Sequence, residues 1–218
     1  MSERLEEQKR YYAARAPEYD DWWYRRGRYE LDPAREAGWW ADAAEVEGRL
    51  EAFAPAGKVL ELAAGTGIWT RKLVPLATRV VAVDANAETL ALNTKEAELV
   101  QADVFEWEPE GLFDACFFSF WLSHVPLARF DEFWRRVRSA LRPGGRVFLV
   151  DSAAGDAAHT GTDQAGEEET RTVSDGRAFR IVKRRWEAAE LAERVRPLGF
   201  DLDLRTSTNG HFLYGGSR

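Results

Sequence analysis

Val59-Leu60-Glu61-Leu62-Ala63-Ala64-Gly65-Thr66-Gly67 is a short apolar run that opens directly into a turn of small residues. A strand, a tight turn and then a helix-compatible stretch, Gly67–Leu76, form the first unit of a parallel sheet. Small residues in that turn let a ligand approach the backbone, and the following helix offers unpaired N–H groups there. Nineteen residues after Gly65, Asp84 closes the next apolar run, where an acidic side chain can take both hydroxyls of a ribose. Together they point to a nucleoside cofactor. Dinucleotide binders place glycines at spacings 0, 2 and 5, whereas this chain offers Ala63, Gly65 and Ile68, so the third glycine is missing.

Working outward, the alternation continues. Strands are expected at Lys58–Leu62, Arg79–Val83, Glu98–Gln101, Ala115–Ser119 and Arg146–Val150, with helices at Gly67–Leu76, Ala87–Asn93 and Phe130–Leu141. The last helix stops before Pro143-Gly144-Gly145. In the tail, Ala188–Arg196 reads as a helix ended by Pro197, and Asp201–Thr208 with His211–Tyr214 reads as an antiparallel hairpin turning at Asn209-Gly210. Between Ser152 and Ala178 large apolar residues nearly vanish, which predicts a long loop.

Residues 1–50 are helical in pattern and carry five of the six tyrosines and four of the nine tryptophans. Such rings either cap the core beside the sheet or form a lid over a ligand cleft. We expect one domain, with 1–50 as its helical aromatic lid and 51–218 as its core. A net charge of −7 argues against a phosphate-binding surface for nucleic acid. The single cysteine, Cys116, cannot form an internal disulfide, no stretch is apolar enough to span a membrane, and the start of the chain is charged. A cytoplasmic protein without a membrane partner is expected; oligomeric state is not legible.

With Glu61 inside its strand, the opening stretch resembles the first motif of class I S-adenosylmethionine-dependent methyltransferases, Ala63 replacing the usual first glycine. Three further strings carry the resemblance: Gln101-Ala102-Asp103-Val104, Phe113-Asp114-Ala115-Cys116-Phe117-Phe118-Ser119-Phe120 and Leu141-Arg142-Pro143-Gly144-Gly145-Arg146-Val147. Tyr11-Tyr12-Ala13-Ala14-Arg15-Ala16-Pro17-Glu18-Tyr19-Asp20 is similar to the opening helix of bacterial small-molecule members near the quinone-biosynthesis methyltransferases. The resemblance implies an α/β, Rossmann-like, mainly parallel seven-stranded sheet in the order 3-2-1-4-5-7-6, strand 7 antiparallel, with helices on both faces. It implies S-adenosylmethionine as cofactor and S-adenosylhomocysteine as product. Residues implied at the cofactor are Glu61, Ala63, Gly65, Thr66, Gly67, Asp84, Ala85, Asp103, Val104 and Ser119, with Tyr12, Arg15, Tyr19 and Trp23 closing over its methionine end. No metal is implied.

Methyl transfer is an in-line displacement at a sulfonium, so alignment is most of what an enzyme must supply and no catalytic residue is obligatory. His124, just past the fourth strand, is the candidate base for an acceptor hydroxyl or protonated nitrogen; its other reading is a histidine that orders the loop. His211 and His159 read as surface groups, Asp114 as a structural cap and Cys116 as a buried apolar thiol. The aromatic N-terminus with Phe118, Phe120 and Trp121 suggests a small apolar or heteroaromatic acceptor, methylated on N or O rather than C. The rival functions are a non-catalytic cofactor binder, a protein or RNA methyltransferase and, last, a nicotinamide oxidoreductase.

Overall fold

The structure, a computed structural model, describes residues 2–154 and 167–217. Strands β1 (Lys58–Leu62), β2 (Arg79–Asp84), β3 (Glu98–Gln101), β4 (Phe113–Ser119) and β5 (Leu141–Ser152) run parallel. A separate hairpin, β6 (Glu168–Thr172) with β7 (Ala178–Val182), precedes the last two strands, β8 (Leu202–Thr206) and β9 (Phe212–Ser217). The main sheet has seven strands in the order β3-β2-β1-β4-β5-β9-β8, and β9 is antiparallel to both neighbours. Leaving the small hairpin aside, this is the expected 3-2-1-4-5-7-6.

Period-two alternation splits each central strand between two cores. Leu60, Leu62, Val81, Val83, Cys116, Phe118, Val147 and Leu149 face one; Val59, Val80, Ala82, Ala115, Phe117, Phe148 and Val150 face the other. Burial on both faces is why these strands read as unbroken apolar runs. The first core is closed by helix α6 (Phe130–Ala140), whose Phe130, Phe133, Trp134, Val137 and Ala140 make one helical stripe. The second is closed by α3 (Pro33–Phe53), capped by Asp32, which accepts from Ala34 N and Arg35 N at 3.2 and 3.1 Å. Asp42 stands in the apolar stripe of α3, fully buried. Its carboxylate gathers the β8–β9 turn, accepting from Ser207 Oγ (2.6 Å), Asn209 N (2.8 Å) and His211 Nδ1 (2.8 Å). His211 is therefore a turn-ordering group and not the surface residue expected.

Other short helices are α1 (Ser2–Arg15), α2 (Tyr19–Trp23), α4 (Thr70–Leu73), α5 (Ala87–Leu90) and α7 (Ala188–Val195). The stretch expected as one loop from Ser152 to Ala178 instead contains β6, paired antiparallel with β7. Its inward positions carry Glu169 and Arg171, so the apolar alternation that marks a strand is absent. Residues 155–166, His159 among them, lie outside the described residues. Helix α1 docks on this hairpin: Glu7 accepts from Arg180 N (2.8 Å), and Gln8 accepts from Val182 N (3.0 Å) while donating to the His124 carbonyl (3.2 Å). Among the described residues, no helix is long and apolar enough to cross a membrane.

Replacing Asp42 by Ala leaves several donors of the β8–β9 turn unpaired in the core, and stability is expected to fall by about 3 kcal/mol in urea unfolding.

Candidate functional site

A cavity of about 720 Å³ opens at the carboxyl ends of β1, β2 and β4, where ligands of open parallel sheets bind. Ala63, Gly65, Asp84, Ala85, Asp103, Val104 and Ser119, all expected at the cofactor, line it together. Asp84 Oδ2 accepts from Gly65 N (2.9 Å) and Oδ1 from Asn86 N (2.8 Å), so the carboxylate ties the β1 turn to the end of β2. Each oxygen keeps lone-pair capacity for a ribose hydroxyl. Burial raises the pKa of Asp84 above the usual 3.8, against the pull of those backbone donors.

The turn itself is left-handed. Ala63 has φ +53° and Gly65 φ +55°, and a Cβ on Gly65 would meet only open space, so the backbone there is bare toward its surroundings. Ala63 accepts the strain that a glycine would avoid. Gly67 makes room for a neighbour, since a Cβ there would collide with Asn93 Oδ1, and Asn93 Nδ2 holds the turn through Gly65 O (3.2 Å) and Thr70 Oγ1 (3.0 Å). Gly67 thus serves the packing of the turn and lines none of the described cavities. Thr66 lines a smaller adjoining cavity and donates to Asp20 of α2.

Two further expected residues lie elsewhere. Trp23 is buried among Trp22, Trp39, Trp69 and Phe212 in the second core and reaches no described cavity. Helical spacing cannot say which of two adjacent tryptophans faces a ligand. Glu61 is buried behind the turn and lines none of the described cavities; burial pushes its pKa up to about 8, against the pull of the nearby Thr70 hydroxyl. A buried carboxyl beside this turn, held neutral by desolvation, can ionise when a cationic group arrives, which suits a cofactor whose methionine end is cationic. With Asp84, the bare Gly65 backbone and the cavity, the residues fit a nucleoside cofactor bearing positive charge.

Helix α1 covers the cavity with Leu5, Gln8, Lys9 and Tyr12, none but Tyr12 foreseen from the sequence. Lys9 reaches Asp103 Oδ2 at 2.8 Å, while Asp103 Oδ1 accepts from Phe105 N at 2.8 Å. Burial would raise the pKa of Asp103, but Lys9 and the Phe105 amide hold it below 3.8, so it is ionised.

A second cavity, about 420 Å³, shares Tyr12, Tyr19, Phe120 and His124 with the first. Its remaining wall combines Tyr11, Trp22, Ser152 and Ile181 with three cations: Arg15 from α1, Arg171 from β6, and Lys183 just past β7. Arg15 lies over the rings of Tyr19 (5.0 Å), Tyr11 and Tyr29 (both 5.7 Å), and no carboxylate pairs with it among the described residues. Arg171 shares Glu169 with Arg185. Lys183 is buried, 3.7 Å from Asp151 and held by Ser123 Oγ (2.9 Å) and Ser152 Oγ (3.3 Å); burial pulls its pKa down. Positive charge exceeds negative around this cavity. Arg171 went unseen because it lies in β6, whose sequence reads as loop, and Lys183 because it directly follows that hairpin. The one available signal was Lys183-Arg184-Arg185 directly after the apolar Ile181-Val182.

His124 sits at the junction with both ring nitrogens engaged: Nδ1 is 2.6 Å from the Val182 carbonyl and Nε2 is 2.7 Å from the Tyr12 hydroxyl. Burial first, then Lys183, hold its pKa well below 6.5, so the ring is neutral. Asp114 accepts from Lys58 N at 2.7 Å and pairs with Arg142 at 2.6 Å, a structural tie between strands, and Cys116 is a buried free thiol.

Comparison with known proteins agrees with this geometry. Residues 59–145 match the family model described as "Methyltransferase domain". A solved complex of DhpI with SAM and HEP is similar to this chain at 39% identity, covering 99% of this chain and 97% of that one with TM-score 0.82. A DhpI–SAH complex matches at 40% identity over 100% and 98%, TM-score 0.81. The Burkholderia thailandensis 1,6-didemethyltoxoflavin-N1-methyltransferase, at 22% identity over 96% and 88% with TM-score 0.59, shares the fold. No curated protein matches the sequence.

Asp84→Asn is expected to weaken S-adenosylmethionine binding about 10- to 100-fold in calorimetric titration, the loss of one charged hydrogen bond. For Glu61, a folded pKa of about 8 means that ionisation opposes folding between pH 4.5 and 8. The cofactor-free Glu61→Gln variant should therefore be more stable than the parent by roughly 2–4 kcal/mol at pH 8, and no more stable at pH 4.5. Thermal unfolding at the two pH values checks this.

Proposed function

Because the chain belongs to the class I S-adenosylmethionine-dependent methyltransferases, we propose that it methylates an oxygen of a small anionic oxyacid, of the carboxylate or phosphate type. The observation that carries this is the cationic cavity adjoining the cofactor cavity, with Arg15, which bonds the Tyr29 hydroxyl but has no carboxylate partner among the described residues, and with Arg171 and Lys183 beside it. Burying charges in excess is costly unless a partner arrives. Guanidinium forks and an ammonium match oxyanion geometry. The same cations would repel an ammonium acceptor, which favours O over N. The apolar or heteroaromatic acceptor suggested by the aromatic residues has less support: Phe118 is wholly buried in the first core, and Trp121 lines the cofactor cavity. The second cavity is a recess between α1 and the β6–β7 hairpin, which suits a small molecule in preference to a protein or RNA. The cytoplasm is the proposed location, consistent with a free buried cysteine.

In this reaction the acceptor oxygen's lone pair forms the new O–CH3 bond, the S–CH3 bond breaks, and its electron pair stays on sulfur. S-adenosylmethionine supplies the methyl group and a neutral thioether leaving group. The chain's residues supply alignment: Asp84 and Asp103 fix the nucleoside, and Lys183, steadied by Ser123 and Ser152, fixes the oxyanion. Tyr19 and Phe120 bring aromatic surface to the junction of the cavities, where faces favour a sulfonium. An ionised oxygen needs no base.

Incubating the protein with methyl-labelled S-adenosylmethionine and a panel of small oxyacids should move label into products carrying one negative charge fewer, resolved by anion exchange. Label in neutral heteroaromatics instead would defeat the reading. With a working acceptor, Lys183→Met should raise its KM about 10- to 100-fold, leaving cofactor affinity within about twofold.

A further inference from the structure

The His124–Tyr12 contact has a direction that the surrounding atoms determine. The Val182 carbonyl can only accept, so the 2.6 Å contact places a proton on His124 Nδ1. Three cations face the ring, Lys183 past β7, Arg171 on β6 and Arg15 on α1, with Asp151 behind Lys183. Burial and those charges keep the imidazole neutral, which leaves Nε2 as a bare lone pair. Tyr12, whose phenol burial keeps protonated, must then donate its only proton to Nε2 across 2.7 Å. The Tyr12 oxygen is left with lone pairs and no proton to offer, on a residue that lines both cavities.

We infer that His124 is a positioning residue, and that it holds the Tyr12 oxygen as an obligate acceptor at the junction through which the methyl group passes. A lone pair there attracts the methyl group polarised by its sulfonium and offsets the nearby cations. Burial and those cations disfavour a proton on Nε2, which leaves that nitrogen free to hold the Tyr12 hydroxyl. Were the ring flipped or charged, Tyr12 would turn its proton toward the junction and repel the sulfonium. This inference rests on the family assignment and on the hydrogen-bond directions, and is independent of which acceptor is used.

The test compares the two cofactor forms, because S-adenosylhomocysteine lacks both the methyl group and the charge. In calorimetric titrations, Tyr12→Phe and His124→Asn should each weaken S-adenosylmethionine binding about tenfold and change S-adenosylhomocysteine binding less than about twofold. His124→Gln, whose Oε1 can stand near the position of Nε2, should restore the preference. Nitrogen-15 NMR of the unmodified protein should show His124 protonated at Nδ1 and unprotonated at Nε2 from pH 6 to 9. Equal losses for both cofactor forms, or a ring that titrates or carries its proton on Nε2 in that range, would overturn the inference; the NMR arm stands even where a variant fails to fold. A failure of the oxyacid panel would leave these results untouched, so the two readings fall separately.

Discussion

Helix α1 lies across the open end of a parallel sheet and is held there by backbone-directed hydrogen bonds to a two-stranded hairpin. Gln8 is the hinge pin of this arrangement: its carboxamide spans the Val182 amide and the His124 carbonyl, so one buried side chain joins lid, hairpin and post-β4 loop. Everything distinctive about the site depends on that docking. It sets Lys9 on Asp103, Tyr12 on His124, and Arg15 opposite Arg171 and Lys183. Remove α1 and the cofactor cavity loses a wall, while the second cavity loses a cation and two tyrosines.

The main sheet supplies the other half. Its central strands, buried on both faces, are rigid enough to fix the β1 turn and the Asp84 carboxylate against each other. Ala63 keeps a left-handed backbone without a glycine's freedom, and Asn93 clamps the turn from behind through a contact that Gly67 alone permits. The rigid cofactor wall and the charged wall of the second cavity then meet at Tyr12, Tyr19, Phe120 and His124.

How much of this was legible follows from where each residue sits. The strand order and the cofactor wall could be read because buried parallel strands and a small-residue turn constrain residue type strongly. Asp84, Asp103 and Gly65, expected at the cofactor, line one cavity. The cationic wall was illegible for the opposite reason. In β6 the inward positions carry Glu169 and Arg171, so the apolar alternation by which strands are recognised is missing. Trp23 shows a third case, in which residue type was informative and direction was not: Trp22 and Trp23 are adjacent, both largely buried, and one of them reaches a cavity. Asp42 and His211 show a fourth, since a buried carboxylate gathering a distant turn leaves no local signature.

The central claim is that the excess positive charge around the second cavity exists for an acceptor oxyanion. Calorimetric titration of the S-adenosylhomocysteine-loaded protein with small carboxylic and phosphorus oxyacids, and with their uncharged methyl esters, addresses it directly. The account predicts that at least one class of oxyacid binds and that its uncharged ester binds at least about tenfold more weakly, as loss of a charge-assisted contact requires. Esters or neutral heteroaromatics that bind as well as the acids would contradict it.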